Sequence, residues 1–80
     1  MAHFLWNDWN RQKIDNHALS TDEVEFAWEN NRIDLAEKDH PIHGQYWESM
    51  GQCPSGRWIT IIWRYNQVAD QELVFVITAY

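Results

Sequence analysis

The sequence predicts an α+β domain: two N-terminal helices packed on a three- to four-stranded antiparallel sheet. Three observations predict it. Helix-starting signals cluster before Asn30-Asn31, and beyond them the apolar period changes from helical to alternating or continuous. Pro54-Ser55-Gly56 then separates two apolar runs as a turn, because Pro presets φ and Gly accepts positive φ. With 80 residues there is room for a single domain, residues 1–80. A 45% hydrophobic content with six Trp, three Tyr and three Phe suffices to close its core.

Taken in order, Asn7 or Asp8 is an N-cap for a helix running to about His17, since either side chain can accept from first-turn amides. Asn10, Ile14 and His17 share one face of it, while Arg11 and Lys13 point elsewhere. Ser20-Thr21-Asp22-Glu23 is a capping box, and Leu19 with Val24 occupies the two positions of a hydrophobic staple. Val24, Ala27 and Trp28 form the buried stripe of this second helix, and Phe26 lies off it. Strands are expected at Ile33 to Ala36, Tyr46 to Met50, Trp58 to Tyr65 and Leu73 to Ala79. On the longest, Ile59, Ile61, Trp63 and Tyr65 fill one face and Trp58, Thr60, Ile62 and Arg64 the other. Residues 45–65 read as an antiparallel hairpin. The last run, LVFVITAY, is apolar on both faces, as in a central strand with helices on one side.

Composition removes several classes. No run reaches the length of a membrane span, and MAHFLWNDWN lacks the charged head and apolar middle of a signal peptide, so the chain reads as cytoplasmic, with no membrane partner. A lone Cys53 forms no internal disulfide and makes a thiolate zinc site improbable. The net charge of -6 is the wrong sign for long-range attraction to phosphates, so any nucleic-acid contact must be local. Eight carboxylates crowd between Asp15 and Asp39, whereas Arg11, Lys13, Arg57 and Arg64 lie outside the densest stretch.

Trp6, the segment KIDNHALSTDEVEFA from Lys13 to Ala27, GQYWESMG, GRWITIIW and the terminal VFVITAY, in this order, form a pattern. It resembles the BrnT-type toxins, small bacterial ribonucleases of the RelE-like superfamily that a partner antitoxin neutralises. His17 falls on the pattern's His, Ser20 on its helix cap, Gly56-Arg57 on its turn and Ile77-Thr78-Ala79 on its ending. Almost the whole chain is covered, and the order of the short motifs makes the match specific. Asn16 and Ala18 stand where the pattern has Lys and Gly, and Tyr80 where it usually has Arg. The resemblance implies a toxin of a type II toxin–antitoxin system, with mRNA as substrate, a cognate antitoxin protein as partner and no cofactor.

Metal-independent RNA cleavage needs a group to activate the 2′-hydroxyl, a proton donor for the leaving oxygen and cations for the phosphorane. His17, Lys13, Arg57, Arg64 and Tyr80 are the candidates. Four of them have an ordinary reading beside this one. His17 suits a helix end, where carbonyl dipoles favour its protonated form. Lys13 suits a solvated helix face, Arg64 a strand cation paired to a carboxylate, and Tyr80 a frayed terminus. Arg57 and Arg64, seven residues apart, lie about 23 Å from each other along one strand and cannot share one phosphate. Trp47 and Trp58, with Trp63, can stack on single-stranded bases or pack in the core. Trp9 and Phe26 miss the apolar stripes and suit a protein interface. His40 and His43, with Asp39 adjacent, admit a metal reading that lacks a third fixed ligand, and Glu37, Asp39 and Glu48 read as surface acidity.

Three functions compete. The first is the endoribonuclease toxin, and the second a non-catalytic BrnT-like protein–protein interaction domain. A metal-dependent hydrolase using His40 and His43 is the third. Convergence of Lys13 and His17 with Arg57 or Arg64 in one groove separates the first from the second.

Overall fold

The protein, as a computed structural model describing residues 2–42 and 44–80, begins with a two-residue strand, β1 (Phe4–Leu5), ahead of its helices. Asn7 then caps α1 (Asp8–Asp15) reciprocally: the Asn10 amide donates to its side chain at 3.0 Å, and its own amide donates to Asn10 Oδ1 at 2.7 Å. The helix stops short of His17. Ala18 takes φ of +57°, and the amides of Ala18 and Leu19 donate back to Asp15 and Ile14 in the paired bonds of a Schellman motif. Ser20 caps α2 (Thr21–Glu29), with both bonds to Glu23 formed, at 3.2 and 3.0 Å. Leu19 and Val24 are both buried, as a staple requires, together with Ala27 and Trp28.

Four longer strands follow: β2 (Ile33–His40), β3 (Gly44–Gln52), β4 (Trp58–Val68) and β5 (Gln71–Ala79). The sheet order is β1-β5-β4-β3-β2. Consecutive long strands pair antiparallel through short turns, while β1 pairs parallel to β5, Phe4 opposite Val74 and Leu5 opposite Phe75.

This corrects the expected architecture. The chain is not a helical pair on a three- to four-stranded antiparallel sheet. It is mostly sheet, 50% strand against 22% helix, and the sheet is mixed with five strands. The physical reason lies in two places. Phe4–Leu5 is too short to show a period, and only the exposed edge of β5 makes it a strand. β2 runs on through Glu37-Lys38-Asp39-His40 because backbone pairing with β3 sustains it at the sheet edge, where charged side chains stay in water.

One face of the sheet holds the core. Trp63 lies opposite Trp47 and Val76, and Ile61 opposite Ser49 and Ala79, so these side chains point the same way. Ile59, Ile61, Trp63, Val74, Val76 and Ala79 are buried there beneath Ile14 and α2, whereas Tyr65, next in that row, is exposed. The α2 backbone comes so close to β3 that a Cβ on Gly51 would lie 2.2 Å from the Ala27 carbonyl oxygen. The centre of this face carries one polar chain. Trp63 Nε1 donates to the buried Ser49 Oγ at 2.9 Å, Ser49 donates to Asp34 at 2.7 Å, and Arg32 Nε donates to the same carboxylate oxygen at 2.9 Å. The Arg32 guanidinium lies 3.9 Å from the Trp28 ring centroid and 5.0 Å from that of Trp63, closing the network over the aromatic cluster. Trp58, Thr60, Ile62 and Arg64 occupy the opposite face, where Trp58 is half-exposed.

Candidate functional site

The seam between α1 and β5 collects most of the chemistry. β1 covers β5 only at Val74 and Phe75, and beyond that point α1 takes over the strand edge. The Asn10 side-chain amide donates to Leu5 O at 2.9 Å and to Val76 O at 3.0 Å, so the helix is fixed where β1 ends. From there α1 runs in the same direction as β5. Trp9 lies against Phe75, the rings 5.9 Å apart and 7° from parallel, and His17 lies against Tyr80, 5.9 Å apart and tilted by 50°. Trp9 and Lys13, four residues apart, share one row of α1, and His17 follows in the turn that ends the helix.

Two groups of side chains form on this seam. In the first, Lys13 Nζ sits 4.6 Å from the Trp9 ring centroid, and Arg64, paired opposite Phe75, places Cζ 5.2 Å from that ring's centroid. With Ile77 they enclose a cavity of about 150 Å³. The second group holds His17, Arg57 and Tyr80. Arg57 donates from its two terminal nitrogens to the carbonyls of His17, at 2.9 Å, and Ala18, at 3.4 Å, so its charge faces the end of α1. Tyr80 is tied down, because its amide and carbonyl both bond Thr60, at 3.0 and 2.8 Å. Lys13 and Arg64 therefore line one cavity, Arg57 reaches the backbone carbonyl of His17, whose ring lies beside Tyr80, and the two groups occupy successive stretches of one seam.

The other expected residues lie elsewhere. Trp47 stacks on Trp63 at 6.0 Å on the core face, and Trp58 stands half-exposed on the opposite one. Phe26 is exposed beside Cys53 and Gly56, around a hollow of about 360 Å³. The Cys53 thiol is pushed above its ordinary range by burial first and by the Glu23 carboxylate second, with Arg57 pulling weakly the other way. His40 Nδ1 accepts from the Ile42 amide at 3.1 Å, and His43 lies outside the described residues. Among the described residues no three His, Cys, Asp or Glu side chains converge to hold a metal ion. An open hollow of about 540 Å³ between α1 and the start of α2 is lined by Asp8, Arg11, Asp15 and Ser20 and contains none of the expected site residues.

Sequence reasoning missed Phe75 and Ile77 as walls of the cavity. The signal was present in the pairing: a two-residue turn at Ala69-Asp70 sets Arg64 opposite Phe75. No helix among the described residues is long and apolar enough to cross a membrane. Comparison of the chain with known protein families, with curated proteins and with solved structures gives no match.

Proposed function

We propose that the chain is a BrnT-type toxin of a bacterial type II toxin–antitoxin pair, acting in the cytoplasm as an mRNA endoribonuclease. The observation that carries this reading is the seam along which α1 and the turn that ends it set Trp9, Lys13 and His17 against Phe75, Ile77 and Tyr80. It supplies, in an acidic protein, the local cation and imidazole chemistry that RNA needs. The reacting end is His17 with Tyr80. There a ribose 2′-oxygen loses its proton to a base and attacks the adjacent phosphorus, and the 5′-oxygen leaves with a proton. The products are a 2′,3′-cyclic phosphate and a 5′-hydroxyl. His17 is exposed and close to the Tyr80 ring, so imidazole and phenol can divide the two proton transfers. Arg57 acts as a positioning residue, because its donors hold the backbone carbonyls of His17 and Ala18.

The second reading, a non-catalytic interaction domain of the same kind, is favoured by one specific observation. The cations divide into two groups, and the Arg57 guanidinium is directed at backbone carbonyls. Incubating purified protein with mRNA in EDTA, and mapping the ends formed, separates the two. Cleavage with cyclic phosphate ends, lost in His17→Ala and Tyr80→Phe variants of unchanged circular dichroism, is expected. Intact RNA with the wild-type chain, or full cleavage by the double variant, overturns the ribonuclease reading.

A further inference from the structure

We infer that the cavity between Trp9, Lys13, Arg64 and Phe75 is a binding subsite for one phosphate group, distinct from the His17–Tyr80 end. The inference deepens the ribonuclease reading and rests on it only for the polymer that brings the phosphate. Three observations carry it. First, the sequence has twelve carboxylates against six Lys and Arg, yet among the described residues neither Lys13 nor Arg64 forms an ion pair; Arg32–Asp34 is the salt bridge found there. Two like charges facing one cavity without a counter-charge repel each other, and a bound anion relieves that repulsion. Second, both cations rest on aromatic rings rather than on acceptors. Trp9 holds Lys13 and Phe75 holds Arg64 by cation–π attraction, and the two rings stack on each other. That arrangement fixes the cations while leaving their N–H donors unspent. Third, about 150 Å³ fits a tetrahedral oxyanion with a little water and excludes a whole nucleotide. An ammonium and a forked guanidinium lining the same cavity can reach different oxygens of one tetrahedral phosphate, the guanidinium in bidentate fashion.

The subsite thus binds rather than reacts, and a nucleotide held there leaves its sugar and base outside, beside the exposed edge of Trp9. Its test is a titration of the full chain with inorganic phosphate, followed by the indole NMR signal of Trp9. A saturable shift of that signal is expected, weakened about tenfold by Lys13→Gln or Arg64→Gln and retained in part by Arg64→Lys. With a non-cleavable single-stranded oligonucleotide, either Gln variant should lower the salt slope of binding by about one. In the cleavage reaction it should raise KM more than it lowers kcat. An unmoved Trp9 signal overturns the subsite, as does tighter binding of an acidic peptide than of phosphate. Failure of the two readings is distinguishable. Phosphate binding at Trp9 without any RNA cleavage removes the ribonuclease and keeps the subsite, whereas RNA cleavage with KM unchanged in both Gln variants removes the subsite alone.

Discussion

The side-chain amide of Asn10 donates to the backbone carbonyl of Val76 at 3.0 Å, across a separation of 66 residues. The same amide reaches Leu5 O, and Asn10 Oδ1 accepts from the Asn7 amide. One fully buried polar side chain thereby caps its own helix, ends β1 and seals the edge of β5. It also sets the register of the seam on which the candidate site depends. Asn10→Ala leaves these carbonyls without a donor in a buried place, at a cost of about 2–3 kcal/mol. Urea unfolding should show the unfolding free energy falling by that amount, with a lower midpoint, and the close Trp9–Phe75 contact should loosen in NMR spectra.

Gly51 sits where α2 crosses β3, and its need for glycine comes from space rather than from φ. A methyl group there meets the Ala27 carbonyl, a backbone atom that cannot rotate away. Gly51→Ala should therefore destabilise the fold by about 3 kcal/mol, the upper part of the range for overpacking. Thermal unfolding is the measurement.

At Ala18 the sign reverses. Its φ of +57° is a conformation that glycine adopts freely and an L side chain resists, and the residue is exposed, so removing its methyl costs no packing. Ala18→Gly should raise stability by up to about 1 kcal/mol, read from the same denaturant titration.

Cys53 should make stability fall in alkali. Burial and Glu23 raise the thiol above its ordinary value of 9.0, so the folded state favours the neutral form more than the unfolded state does. Its contribution is full below about pH 9 and is lost as pH climbs through the raised value, where the unfolded chain binds fewer protons. Cys53→Ala should flatten that part of the pH–stability profile. Alkylation of the native thiol near neutral pH should also be slow and should accelerate on unfolding.

Much of the fold was legible because its signals are local. The capping box at Ser20, the staple of Leu19 with Val24 and the turn at Pro54-Ser55-Gly56 each act within a few residues, and each is formed. The fold class was misread where pairing across the chain decides structure. Phe4–Leu5 carries no period, and the charged half of β2 carries no apolar alternation, yet both are strands because a neighbouring strand offers hydrogen bonds. The site divides in the same way. His17, Lys13, Arg64 and Tyr80 stand out by residue type, but which of them meet follows from the parallel course of α1 along β5. Phe75 drew no notice in the sequence, since its role comes from lying opposite Arg64 and beneath Trp9.

By itself the amino-acid order determined the two helix starts, the apolar core row of Ile59, Ile61 and Trp63, and the scarcity of cations among carboxylates. Tertiary structure alone decided that the sheet has five strands, that Arg57 turns to the end of α1, and that Lys13 and Arg64 face one cavity. The reason is one of range. Capping and periodicity are settled by neighbours a few residues away, whereas strand edges and converging charges are settled by backbone groups and rings that folding brings together from opposite ends of the chain.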